Sequence, residues 1–512
     1  MKRLFCFLFA IELFFINSPS IILAQNGATI KAKIRAYRQA NEHKIIGELT
    51  ELLAIPNLAS DSINIRRNAA KLVEMLEQRG VRAQLLEMPG SPPAVFGELK
   101  APGAKRTLMF YAHYDGQPVA SLHWDTEPWQ PVLRDKATEA GGKIIPMPAP
   151  DKAFEGEWRI YARSASDDKS PIVAMLTALD AIRASKLKLT TNLKFFFEGE
   201  EEAGSPHLEA IVAKYVEQLK ADAWILCDGP VHQTRRQQLY FGVRGIVSFE
   251  MTVYGANREL HSGHYGNWAP NPAMMLSQLL ASMKDADGRV LVQGFYDGVA
   301  PLNAVEQKAV AEAPDSDAAL MRSLGFSRAE GGGKKLAELI NLPSLNIRGM
   351  QSAAVGANAR NVVPATATAA IDIRLVKGTD RNRLRELVEN HIRQQGYHIV
   401  HADPDHETRL KYPRIVKTVW EEGYNASRTA MDLPISHAIV SAVEAMKGEP
   451  VIKMPTLGGS VPFYIFTDIL QTPAIGVPIV NHDNNQHSAN ENLRLQNLRE
   501  GIEVLAALMV MR

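Results

Sequence analysis

Residues 192–205 read NLKFFFEGEEEAGS, three phenylalanines followed by four glutamates, Glu198, Glu200, Glu201 and Glu202. A short, wholly apolar run of this kind is the pattern of a strand buried on both faces, as in a parallel sheet. The glutamates that close it are harder to place. Neighbouring carboxylates repel and raise one another's pKa, so a cation is the natural partner for such a cluster. The rest of the chain can be searched for further ligands.

Two other stretches share the pattern. TLMFYAHYDG (107–116) and ADAWILCDGP (221–230) are apolar runs that end in His113, Asp115 and Asp228. From about residue 35 helical stretches alternate with such strands, IIGELTELLAI (45–55) and NAAKLVEMLEQRG (68–80) having helical spacing. Strands alternating with helices predict an α/β layer with a largely parallel sheet. In such sheets ligands sit beyond the carboxyl ends of the strands, where all three runs place a His, Asp or Glu.

The pattern changes after about residue 240. GIVSFEMTVYG (245–255) and TATAAIDIRLV (366–376) alternate like strands with one covered face, and NPAMMLSQLLASM (271–283) is helical between them. SHAIVSAVEAM (436–446) and QTPAIGVPIV (471–480) then resume the first style. The expectation is a catalytic domain in two pieces, 25–240 and 426–512, with an α+β domain inserted over 241–425.

The 512 residues are 46% hydrophobic and 22% charged, with a formal net charge of +1. That length calls for more than one core, and the balance lacks the basic excess of a nucleic-acid binder. The first residues, MKRLFCFLFAIELFFINSPSIILAQ, have a basic start, an apolar stretch and ILA before Gln25. This is the pattern of a cleaved leader over 1–24, interrupted by Glu12. An exported product, periplasmic or secreted and without a stable membrane anchor, is expected. Loss of Lys2, Arg3 and Glu12 from 57 basic and 56 acidic residues would leave a formally neutral chain. Of the two cysteines, Cys6 lies in the leader. Cys227 alone can form no intrachain disulfide and no thiolate-built zinc site.

Taken singly, the candidate ligands are ordinary. His113 and Asp115 stand two apart at a strand end, on one side, so Asp115 can accept from the His113 ring nitrogen that faces away from a metal. In SASDDKSPIVAMLTALDAI (164–182), Asp167 and Asp168 precede a helix for which Ser170 is the expected N-cap and Pro171 the first residue. Acidic residues are stabilising there without any metal. Of Glu201 and Glu202, one can bind metal while its neighbour faces a water. His487 in NNQHSANENL (484–493) competes with His482. Taken together, two histidines and three carboxylates at strand ends match a two-metal site, in which one carboxylate bridges both ions.

The stretches AHYDGQP, SASDDKSP, EGEEEAGS, LCDGP, RELHSGHYGN, NVVPATATAAIDIRLV, GGSVPF and QHSANENL occur in the order found in the M20 metallopeptidases. The chain resembles that family over nearly all its length after the leader, and is most similar to its carnosinase-like dipeptidase branch. The resemblance implies a zinc-exopeptidase-like mixed sheet, largely parallel, with helices on both faces. The insert would act as a lid and make a homodimer. By the same resemblance Asp167 bridges two divalent metals, zinc or else manganese or cobalt. His113 and Asp228 complete one site; Glu202 and His487 complete the other. Glu201 is the general base and Asp115 orients His113. His261, in LHSG, would reach across the dimer to the developing oxyanion. Arg374 would hold the substrate's C-terminal carboxylate, and Asn361, Gly459 and Ser460 match positions that contact substrate.

The chain departs from the family in having Ser164 and Ser170 where relatives carry glycine. If the first of these positions has positive φ, serine there is strained. The stretch 137–158 is also longer than the usual connection and is a candidate to narrow the substrate entrance. The expected activity is cleavage of the amide bond of dipeptides or short peptides with a free carboxylate. An N-acyl amino-acid deacylase of the same fold is the alternative, and a non-catalytic binding protein a remote one.

Overall fold

The computed structural model describes residues 19–120 and 122–511, with side chains from residue 27 onward. The leader expected over 1–24 therefore falls on residues outside that range and on the first turns of a helix, Pro19–Ala40. Among the described residues no helix is long and apolar enough to cross a membrane.

The phenylalanine run is a strand, Thr191–Glu198, near the middle of an eight-stranded sheet. In spatial order the strands are Arg82–Leu86, Ala94–Leu99, Thr191–Glu198, Arg106–His113, Ala223–Leu226, Ala474–Gly476, Gln238–Tyr240 and Ile452–Met454. The central four are parallel, while Ala94–Leu99 on one side and Gln238–Tyr240 on the other run antiparallel to their neighbours. Period-two alternation divides the phenylalanines. Phe195 and Phe197 join a core with the helices Lys169–Ala184 and Leu495–Met509, and Phe196 joins Trp224 and Phe466 on the opposite face. Each such ring, fully buried, contributes roughly 1.5–3 kcal/mol, which is why the run carries no polar face.

A second sheet has the order Ser344–Gln351, Thr366–Leu375, Gly245–Tyr254, Ile415–Trp420, His398–Val400. Two of these five strands, Gly245–Tyr254 and Thr366–Leu375, are those expected from their alternation. Ser344–Gln351 was missed because it lies at an edge and is mostly exposed, and His398–Val400 because it has three residues. Helices Pro272–Met283 and Arg381–Gln394 pack on this sheet to form a separate apolar core between residues 247 and 426. The chain enters and leaves this layer side by side, with Gly242–Val243 paired to Ser427–Arg428.

A third, four-stranded sheet was not foreseen. It joins Asn492–Arg494, Arg159–Tyr161, Val132–Arg134 and Ile144–Ile145, and so gives the long 137–158 stretch a place.

Candidate metal centre

His113 is the last residue of its strand, Glu198 ends the neighbouring one, and Asp228 lies two residues beyond Leu226, the end of a third. These three strands are adjacent and parallel, so their carboxyl ends open into one hollow. Asp167 enters it from the loop before Lys169–Ala184, and His487 from the loop before Asn492–Arg494.

Two groups of potential ligands result. His113, Asp167 and Asp228 form one, and Asp167, Glu202 and His487 the other, with one donor atom from each residue lying within 4.8 Å of the others in its group. Asp167 belongs to both. Its Oδ1 is 3.0 Å from His113 Nε2 and its Oδ2 is 3.1 Å from His487 Nε2. His487 Nε2 also stands 3.3 Å from Glu202 Oε2. Glu201 Oε2 approaches His113 Nε2 at 3.9 Å. His482 is absent from both groups.

Asp115, fully buried, organises more than the ring beside it. Its Oδ1 is 3.4 Å from His113 Nδ1. Both its oxygens also accept backbone N–H groups, from Glu201 at 3.1 Å and from Glu202 at 3.0 Å. One carboxylate thus sets the histidine and the glutamate turn together. Asp168 behaves differently from its neighbour. It is buried at the helix N-cap, and burial pushes its carboxyl well above the usual range, against the pull of His113. The helix begins at Lys169, not Pro171, and Ser170 is not its cap. Pro171 is accommodated because N–H groups in the first turn have no intrahelical acceptor.

The electrostatics are those of crowded, buried acids. Burial, then Asp167, push Glu202 up to about 8 and Asp228 up to about 6. Glu201 is pushed well above the carboxylate range by burial and by Asp228 and Glu202, against the pull of His113. Asp167 is the exception: burial raises it, but hydrogen bonds from His113 and His487 hold it low. His487 rises to about 9 through its bond to Asp167. Protons on histidine and carboxyl groups here balance charge that a cation would otherwise balance. Each trio, one histidine and two carboxylates, suits zinc, manganese or cobalt better than calcium. The residues fit such ions.

Several supporting residues were not visible in the sequence. Gln117 Nε2 donates to Glu202 Oε2 at 2.7 Å, and Gln486 Nε2 to Asp167 Oδ2 at 3.0 Å. Glu491, fully buried, accepts from the backbone of Ser164, Ser166 and Asp167 and from Arg163 Nη1, all at 2.9 Å. It stood inside the quoted stretch QHSANENL, where nothing distinguished it from a helix-start acid.

The remaining predicted residues lie further out. Arg374 Nη1 donates to Ser460 Oγ at 2.7 Å, joining the second sheet to the turn that contains Gly459, whose carbonyl accepts from Arg244 N. His261 and Asn361 are exposed neighbours, with Ser262 N bonded to Asn361 O. The His261 ring accepts from Gly263 N and faces the His264 ring, with centroids 4.6 Å apart.

The sequence pattern of peptidase family M20/M25/M40 matches residues 109–511. The chain is 28% identical over 485 residues to the Cys-Gly metallodipeptidase DUG1 of Candida albicans, covering 90% of this chain and 93% of that one. It is 26% identical over 518 residues to the Beta-Ala-His dipeptidase of Homo sapiens, covering 93% and 91%. Among solved structures it resembles the M20 family metallo-carboxypeptidase Sso-CP2 from Sulfolobus solfataricus, with a TM-score of 0.74, 26% identity and coverage of 91% and 98%.

Proposed function

The chain belongs to peptidase family M20/M25/M40, and we propose that it is a dinuclear metal-dependent dipeptidase, exported on the strength of the leader pattern over 1–24. Its substrates are dipeptides or short peptides with a free C-terminal carboxylate. The observation that carries this reading is the pair of ligand trios sharing Asp167, with Glu201 beside them and outside both. The similarity to a Cys-Gly and a Beta-Ala-His dipeptidase supports the substrate class.

On this reading His113, Asp167 and Asp228 hold one divalent ion, and Asp167, Glu202 and His487 the second. Bound divalent ions supply Lewis acidity and bring the pKa of water towards ~7. The protein's own part is proton transfer and positioning. Glu201, beside both trios and a ligand in neither, takes a proton from the attacking water and returns it to the leaving amine. Asp115 keeps the glutamate turn and the His113 ring in register. Arg374 presents a planar fork to the substrate carboxylate, and Ser460 fixes that fork. Residues 241–425 form a lid that pairs with a second copy, and His261 of the second copy donates to the oxyanion.

The test is Glu201→Gln. It should retain two equivalents of zinc or manganese per chain while kcat on dipeptides falls roughly 100- to 10,000-fold. Metal analysis and turnover on a panel of dipeptides and N-acetyl amino acids measure both. Near-normal turnover would remove Glu201 from the role of base, and cleavage of the acyl substrates alone would reassign the chain as a deacylase.

A further inference from the structure

Tyr424 lies outside every motif singled out in the sequence, yet the fold sets it in line with Arg374. Ile246 is the residue between them. It is paired with Arg374 on one side and exchanges both backbone hydrogen bonds with Tyr424 on the other, at 3.0 and 2.8 Å. Directly opposed residues of antiparallel strands project to the same face. Two strand spacings put the backbones of Tyr424 and Arg374 about 10 Å apart, with both side chains on that face. Arg374 reaches Ser460 from it, so the face is turned towards the layer that holds the metal ligands. Gly423 permits the close pairing. Its φ is +60°, and a Cβ there would stand 2.2 Å from the Ile246 carbonyl oxygen.

The ring of Tyr424 is held while its hydroxyl is not. The ring stacks on Tyr464 with centroids 5.9 Å apart and planes at 21°. Tyr464 is itself anchored by a hydrogen bond to Glu209 at 3.3 Å. The Tyr424 hydroxyl makes no hydrogen bond to the described residues. Its electrostatic surroundings span the cleft. Burial and then the Glu201 carboxylate raise its pKa well above the usual phenol value, with Asp228 adding to the rise and Arg374 opposing it. A phenol so placed is a hydrogen-bond donor, on the same face as the proposed carboxylate anchor and within electrostatic reach of the proposed base.

We propose that Tyr424 is a substrate-binding residue whose hydroxyl donates to the C-terminal carboxylate held by Arg374. This rests on the roles given above to Glu201 and Arg374. In that arrangement the leaving nitrogen faces Glu201, and the carboxylate at the other end of the same residue faces Arg374. A group that faces both lies along the substrate's C-terminal residue. A neutral phenol adds a donor there without adding charge beside the metal ligands.

The test is calorimetric and needs no turnover. A dipeptide isostere with a non-hydrolysable linkage, as free acid and as C-terminal carboxamide, is titrated into the zinc-loaded full chain and into Tyr424→Phe. The wild type should prefer the acid by at least roughly tenfold, the size of effect a hydrogen bond to a charged group gives. Tyr424→Phe should keep its melting temperature within about 2 °C, since no internal hydrogen bond is lost. It should bind the carboxamide as the wild type does and lose roughly 10- to 30-fold on the acid. Unchanged affinity for the acid, or an equal loss on both forms, overturns the proposal. A wild type that does not distinguish the two forms overturns it together with the role of Arg374. If the acid preference is present and lost in the variant while no dipeptide is hydrolysed, the subsite stands and the hydrolase reading falls.

Discussion

Glu198 closes the strand of three phenylalanines without joining either ligand trio. Tyr111 donates to one of its oxygens at 2.7 Å, and Tyr111 and Ser205 both favour the ionised carboxyl. Burial, with Asp115 and Glu200 adding to it, pushes the carboxyl up to about 7 from an ordinary 4.5. The sign of the linkage follows. Between those values the folded state holds a proton that the unfolded state has released. The resulting stability is complete below about pH 4.5 and is lost as pH rises through about 7. Glu198→Gln should therefore change the stability of the metal-free protein little at pH 5 and raise it by about 2–3 kcal/mol at pH 8.5. Urea unfolding at the two pH values measures this, and an equal change at both would show that Glu198 is not the buried acid responsible. Ser164 illustrates the same scale from the backbone. Its φ is +61°, the strained region foreseen for a serine in place of glycine. Its Oγ is tied to Asn57 Nδ2 at 2.8 Å, which offsets the strain with a buried hydrogen bond.

At the scale of elements, the site depends on two loops held to each other. Glu491 grips the 163–167 loop through three backbone N–H groups and the buried Arg163. The loop carrying His487 is tied in turn to the long 117–158 segment, by Asp125 N on Asn490 Oδ1 and by Asn485 Nδ2 on Glu139. That segment thus supports the loop that presents His487. Glu491→Gln leaves Arg163 buried without its counter-charge and exchanges one acceptor oxygen for a donor. We expect a loss of about 3–5 kcal/mol in chemical denaturation and a roughly 10- to 100-fold fall in zinc affinity by competition titration. Unaltered zinc affinity in a folded variant would show that Glu491 supports the loop without positioning Asp167.

At the scale of the molecule, the second layer carries apolar surface that its own core does not use. Trp268 is 80% exposed and Met274 60%, on and beside the helix that follows His261, and Val355 is 85% exposed. Large exposed apolar side chains gathered on one layer are the mark of an association surface. In the dimer proposed above, Trp268→Glu should shift sedimentation from dimer towards monomer, and with it lower turnover by removing the second copy's His261 from the site. A wild-type chain that sediments as a monomer at micromolar concentration would argue against the dimer.

The sequence by itself determined the layer type and the chemistry at its edge. A strand buried on both faces is spelled by a local, unbroken apolar run. The polar residues that end such a run, His113, Glu201, Glu202 and Asp228, must emerge where the strand emerges. Tertiary structure decided the rest. It chose Asp167 over Asp168 and His487 over His482, and it set Glu491 under a loop more than 320 residues away in sequence. It also brought Tyr424 into line with Arg374 through a strand that neither belongs to. These choices depend on sheet order and register, which no local stretch encodes. Which of two adjacent acids faces a hollow is settled by how distant backbone donors hold their loop, and those donors become neighbours only when the sheets close.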